Sequence, residues 1–240
     1  MLYPFELEVA VVLQSDLHIS GVGRSVALID RCIERDVRGR PLIPSTSFKG
    51  RTRAHYERLL SALGYDLKGC KPPNPATMCN DPDDLCLACA LFGAPVQQGR
   101  VEFTDLAPAQ AAEPTTRIGV GVNRKLNTVE EGRLFFYEAA PQQVNHNTGT
   151  ISGKSDQYHE NPCTDQQVNR YTGAIRGWAT EQEIARLIAA LKLITHFGGQ
   201  KARGLGRATV CVQTLHLRKN GAWQPVPPDD MLTMLQEARP

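Results

Sequence analysis

Cys70, Cys79, Cys86 and Cys89 follow one another as C-x8-C-x6-C-x2-C inside residues 66–98, a stretch full of Pro, Asn and Asp and poor in aliphatic side chains. Four thiolates can surround Zn2+ tetrahedrally, and a structural site of that kind supplies the folding energy that an apolar-poor insertion lacks. The C-x2-C end is a common ligand pair. The first two spacings match no widespread finger, so scattered free thiols stay open as the alternative. Cys32, Cys163 and Cys211 read as core or surface thiols. Seven cysteines, an odd number, in a chain that opens on MLYPFELEVAVVL argue for metal or free thiols rather than a disulfide framework.

A second concentration of chemistry is GGQKARGLGR, residues 198–207, with four glycines and three basic side chains. It is not a Walker loop: G-x4-G-K-[ST] is absent, and the segment follows a helix instead of opening one. Nor does GVGRSV, residues 21–26, complete G-x-G-x-x-G. A backbone free to take positive φ at Gly198, Gly199 and Gly204, beside Lys201, Arg203 and Arg207, could receive phosphates. A glycine-rich helix stop with solvated charges accounts for the composition nearly as well. Two further basic groups stand elsewhere: Lys49, Arg51, Arg53 and Arg58 in one helical run, and Arg117, Arg124, Lys125 and Arg133 around RIGVGVNRKLNTVEEGRLFFYE. Few aromatics interleave them, which favours contact with a polyanion backbone over base stacking. The net charge of +2 carries no such signal, which lies in placement alone.

These residues must be positioned by regular elements. FELEVAVVL, residues 5–13, alternates like a half-buried strand. PLIPSTSFKGRTRAHYERLLSALG follows with Phe48, Thr52, Leu59, Leu60 and Leu63 at spacings one helical face accommodates, a cap among residues 45–47 and a stop at Gly64. RLFFYEAA and YTGAIRGWA read as strands, separated by a polar stretch over residues 141–170. TEQEIARLIAALKLITHF is a helix with a capping box at Thr180 and Glu183 and an apolar stripe of Ile184, Leu187, Ile188, Leu191 and Ile194. RATVCVQTLHL alternates like a terminal strand, and the tail is a peripheral helix or arm. This order predicts an α+β fold, a ferredoxin-like or RRM-like palm carrying insertions, in which the first helix and the loop before the last strand share one basic surface. No stretch approaches the roughly 20 apolar residues of a membrane span, and a cytoplasmic protein without membrane contact is expected.

Taken in order, LHISG (17–21), ALIDRCIERDVRGRPLIPSTSFKGRTR (27–53), LFGAP, GRVEFTDL, VNRKLNTVEEGRLFFYE and FGGQKARGLGR resemble the RAMP superfamily of CRISPR-associated proteins, and within it the backbone subunit of type III effector complexes. The family's glycine after I-P is Ser45 here. The resemblance implies one RRM-like palm over residues 1–240, a zinc-bearing finger at 66–98, a thumb hairpin at 115–140 and a long polar insertion at 141–170. It implies copies or paralogues stacked along a guide RNA beside other effector subunits. Lys49, Arg51 and Arg53 at the helix start, Arg124 and Lys125 in the hairpin, and Gly198, Gly199, Lys201, Arg203, Gly204 and Arg207 in the loop would then bind RNA.

In active members of this family an aspartate before the first helix cuts the complementary target RNA, and Asp30 is its match. One carboxylate can bind a divalent ion such as Mg2+, orient a ribose 2′-hydroxyl or accept its proton, because in-line attack needs mainly geometry and charge neutralisation. A turn-capping role for Asp30 is the plain alternative, and Asp36 competes within the same loop. The expected function is therefore a guide-binding subunit that is a metal-dependent endoribonuclease. Two alternatives are a non-catalytic scaffold copy and a guide-processing endoribonuclease, for which His18, His55, His146 and His159 would be the suspects. His18 alone reads better as a satisfied core histidine.

Overall fold

Residues 1–21, 28–108, 113–142, 163 and 170–237 are described by the computed structural model. Most of the polar stretch 141–170, with His146 and His159, and most of GVGRSV lie outside the described residues. In chain order the elements are β1 (Tyr3–Leu13), α1 (Ser45–Ala62), α2 (Leu87–Phe92), the two-residue β2 (Gly93–Ala94) and β3 (Gln97–Gln98), β4 (Val101–Phe103), β5 (Ala107–Pro108), β6 (Thr115–Asn123), β7 (Thr128–Ala139), β8 (Arg170–Ala179), α3 (Glu181–Lys192), β9 (Ala208–Lys219), β10 (Ala222–Pro225) and α4 (Pro228–Glu237).

The alternation in β1 places it at the centre of an antiparallel sheet ordered β10-β9-β1-β8-β4, with β5 also pairing β8. Phe5, Leu7, Val9, Val11 and Leu13 face one way and join Phe48, Tyr56 and Leu60 of α1, Ile184, Leu187, Ile188 and Leu191 of α3, and Met231 of α4 in a single core. The helices thus cover one face, as an α+β layer requires. The opposite face is more polar. Glu6 pairs with Arg176 at 2.6 Å, Thr214 donates to Glu8 at 2.9 Å, and Trp178 and Trp223 stand half-exposed. Ala10, Val12 and Cys211 form a small apolar patch on this face against Cys163. Cys163 and Cys211 are joined there in a disulfide, which corrects their reading as free thiols: β9 brings Cys211 to a surface that residue 163 reaches from far along the chain.

Two local expectations also change. The cap of α1 is Pro44 and makes no side-chain hydrogen bond; instead Asp105 accepts from the Ser45 amide at 2.6 Å. The reason is the pairing of Ile43 with Leu106, which seats Asp105 beside the helix start. The buried face of α1 is Phe48, Thr52, Tyr56 and Leu60, so Tyr56 takes the place expected of Leu59. Gly64, at φ +84°, ends the helix as predicted. α3 carries the predicted capping box, and its Glu183 also meets Arg100 at 2.5 Å. β6 and β7 form a two-stranded arm separate from the main sheet, and near its base a bridge joins Tyr137 of β7 to Arg31.

Candidate functional site

The loop between α3 and β9 is closed at its base by hydrogen bonds from Phe197 N–H to Gly206 O and from Ala208 N–H to Thr195 O, and by a bridge between His196 and Arg207. At its tip a 3-10 turn, Lys201–Arg203, is bounded by Gln200 and Gly204, both left-handed. The glycines divide by role. A Cβ on Gly198 would lie 2.2 Å from His18 O, and one on Gly206 1.9 Å from Phe197 O, both at positive φ. At both positions the close approach is to the chain's own carbonyls, so the requirement for glycine there arises within the fold. The Gly199 amide is engaged by His18 O at 2.8 Å, whereas Gly204 faces open space.

α1 lies against this loop. A groove of about 390 Å³ runs between them, lined by Thr46, Ser47, Gly50, Arg51 and Ala54 of the helix and by Phe197 and Gly198. Arg51, His55 and Arg58 follow one another at i, i+4 and i+7, one flank of the helix. Their charges reach Lys201. Burial, then Arg51 and Arg58, hold the Lys201 ammonium below its usual range, and burial, then Arg58, does the same to Arg51. Burial and the neighbours Arg58, Arg51 and Lys201 lower His55, while burial and Lys201, Arg207 and Arg51 lower His196. Among the described residues none of Arg51, Arg58, Lys201 and Arg207 forms an ion pair, whereas Arg35, Arg40, Arg53, Arg100, Arg117, Arg133 and Arg176 each do. Cations gathered without a described counter-charge raise the local positive potential.

The remaining basic residues go elsewhere. Lys49 lines a different groove, of about 320 Å³, with Gln98, Gly99 and Glu102. Arg53 donates to Glu57 at 2.8 Å, to Gly93 O at 2.8 Å and to Cys89 Sγ at 3.1 Å, so its guanidinium is turned toward the cysteines and away from the loop. Arg203 lies 5.1 Å over the ring of Phe135 in β7 and joins the loop to the base of the arm. Arg124 and Lys125 sit at the arm's turn, roughly 20 Å from Phe136, whose partner Ile118 is six residues before Arg124 at a strand rise of about 3.4 Å per residue. His196 escaped the sequence reading; its position just before the glycines was the available signal.

Asp30 is exposed and sits against the base of the arm: its amide donates to Phe136 O at 3.0 Å, and its Oδ2 accepts from Phe136 N–H at 2.7 Å. Its competitor Asp36 is consumed by a turn, accepting from Arg38 N–H, Arg40 N–H and Arg40 Nε. Burial opposes the charge of Asp36, but these donors outweigh it and lower its pKa. His18 is buried and satisfied between Glu138 O at 2.6 Å and Ser20 Oγ at 3.0 Å, as expected of a core histidine.

The four cysteines of residues 66–98 converge, with all four Sγ atoms within 4.8 Å of one another. Cys86 and Cys89 are buried, Cys70 and Cys79 half-buried. Burial is the largest influence pushing the Cys86 and Cys70 thiols up, so a cation is what would let all four ionise together. A metal such as zinc suits this donor set and spacing.

Compared with known families, residues 11–209 match the family model of the RAMP superfamily. No curated protein matches the chain.

Proposed function

The chain belongs to the RAMP superfamily of CRISPR-associated proteins, and on that premise we propose that it is a guide-RNA-binding backbone subunit of a type III effector complex. The observation that carries this reading is the cationic cluster of Arg51, Arg58, Lys201 and Arg207, without an ion pair among the described residues and drawn from two elements far apart in sequence, with Arg51 lining the groove between those elements. Phosphates of a guide strand would lie along it, and pairing with that guide, not the protein, would read the target. The sheet order β9-β1-β8-β4, with α1 between β1 and β4 and α3 between β8 and β9, supports a ferredoxin-like or RRM-like palm. Cys70, Cys79, Cys86 and Cys89 would hold structural Zn2+ in a finger. β6 and β7 would form the thumb, whose exposed Ile118, Val120, Val122 and Leu134 suit contact with a neighbouring copy.

For target cleavage, a divalent ion such as Mg2+ would supply charge neutralisation at the scissile phosphate. Asp30 would orient the 2′-hydroxyl of the target ribose or take its proton as the oxygen attacks the adjacent phosphorus in line and the 5′-oxygen leaves. Its place at the base of the arm suits this, since an arm that displaces one nucleotide would splay the strand there. One observation favours the scaffold reading: the bond from Phe136 N–H to Asp30 Oδ2 is itself a structural task. The processing reading is less well supported, since His18 is locked in the core.

Purification with associated nucleic acid, followed by RNase and DNase digestion, tests the class. A discrete short RNA is expected, and a preparation free of RNA that binds none when offered it overturns the reading. In the assembled complex, Asp30→Ala is expected to abolish target cleavage while guide binding persists. Undiminished cutting would remove Asp30 from the chemistry and leave the subunit a scaffold.

A further inference from the structure

The family resemblance puts Arg53 at the RNA, whereas the fold puts it at the cysteines. Its three guanidinium nitrogens have three different acceptors: Nε donates to Glu57 Oε1 at 2.8 Å, Nη1 to Gly93 O at 2.8 Å and Nη2 to Cys89 Sγ at 3.1 Å. The side chain is 13% exposed, so these bonds are sheltered from water. Two of the acceptors belong to the segment that carries the cysteines: Cys89 lies within α2, and Gly93 caps that helix. Backbone groups also donate to the sulfurs, Cys86 N–H to Cys79 Sγ at 3.4 Å and Cys89 N–H to Cys86 Sγ at 3.5 Å. Among the described residues, Arg53 is the one side-chain cation that donates to a cysteine sulfur. Lys68, from within the segment, is committed to Asp84 in an exposed pair.

We propose that Arg53 is the charge partner of the metal site: through Cys89 it offsets the negative charge that four thiolates leave in excess of a divalent cation, and so helps the protein retain its metal. The inference rests on the reading of Cys70, Cys79, Cys86 and Cys89 as ligands of Zn2+. Four thiolates around one divalent cation sum to a net charge of about −2. Cys86 and Cys89 are buried, and a buried charge is costly unless it is both paired and hydrogen-bonded. Arg53 meets both conditions at once, because a permanent cation donates directly to the sulfur. Its planar fork is held by Glu57 from within α1 and by Gly93 from the cysteine segment, which fixes the direction of the third donor. A lysine ammonium is a point charge on a flexible stem and does not present donors in that fixed plane. Outer partners of this kind raise metal affinity by about ten- to a hundredfold.

The test is a zinc titration of the full chain in competition with a chromophoric chelator at neutral pH. Arg53→Gln is expected to weaken zinc binding by about ten- to a hundredfold and Arg53→Lys by less, whereas Glu57→Gln, which touches the same guanidinium but no sulfur, is expected to stay within about threefold of the parent. Loading with Co2+ supplies a readout that looser packing of α1 would not move. Taking a donor away from a thiolate raises the energy of its lone pairs, so the sulfur-to-cobalt charge-transfer band of Arg53→Gln is expected at longer wavelength than the parent's. Arg53→Lys keeps the stem and the charge, and it carries both comparisons if Arg53→Gln does not fold. Zinc affinity equal to the parent's in a folded Arg53 variant, or a band that does not move, overturns the proposal and leaves the zinc reading intact. A loss in Glu57→Gln as large as that in Arg53→Gln also overturns it, since packing alone would then account for the effect. A parent chain that takes up no zinc overturns both together.

Discussion

Arg51 and Arg53 are two residues apart on α1 and do different work, because two residues separate side chains by about 200° around a helix. Arg51 faces the loop without an ion pair, and Arg53 is held by Glu57, Gly93 and Cys89. Arg51→Ala is therefore expected to weaken RNA binding about evenly across sequences and to reduce the slope of log affinity against log salt by about 1, with thermal stability little changed. Arg53→Ala is expected to leave the salt slope unaltered and to lower stability by about 2 kcal/mol, read by chemical denaturation, since it leaves a half-buried carboxylate and a sulfur without their donor. The residue types were legible in the sequence and their directions were not. Charge counting placed Lys49, Arg51 and Arg53 together, but which flank each occupies follows from Phe48, Thr52, Tyr56 and Leu60 being the buried stripe, and Tyr56 is not where aliphatic counting puts it.

Among the elements, the glycine-rich loop and the α3 cap each make a quantitative expectation. Gly206→Ala forces a Cβ against a backbone carbonyl at positive φ and is expected to cost several kcal/mol, whereas Gly204→Ala, at positive φ in open space, is expected to cost about 1 kcal/mol; comparative denaturation separates them. At the α3 cap, burial opposes the charge of Glu183, yet the bonds from Arg100 and Thr180 outweigh it and depress its pKa below the ordinary value of 4.5. A folded-state pKa below the unfolded one gives stability that is fully present above about pH 4.5 and disappears as pH falls through the folded value. Glu183→Gln keeps the cap but not the charge, so its stability is expected to be lower at pH 7 and to fall less between pH 5 and pH 3; parallel acid denaturation curves would contradict this. This element was readable in full from Thr180, Glu183 and the apolar stripe, because a capping box and a 3.6-residue period are local signals. The partner Arg100 is not local and left no trace in the pattern.

Across the whole molecule, the cysteine segment is joined to the main core and is not an appendage: Cys86, Ala88, Cys89, Leu91 and Phe92 are buried in one cluster with Tyr56 and Ile184. Stripping metal with a chelator, or Cys86→Ser with Cys89→Ser, is accordingly expected to lower the Tm of the entire domain by about 10 °C in one transition, not to unfold a finger alone. A separate low-temperature transition would show that the segment folds independently. Alternation and capping made the α+β class legible, but pairing partners were not, because periodicity reports which face is buried and not what buries it. The Cys163–Cys211 link and the isolation of the β6–β7 arm were hidden for that reason. The position of β1 has a consequence for biosynthesis. Both neighbours of this central strand are made long after it, Val12 meeting Arg170 and Phe5 meeting Leu217. On the ribosome both edges of β1 must wait without a strand partner until β8 and β9 have been made, and holdase chaperones should find a target there.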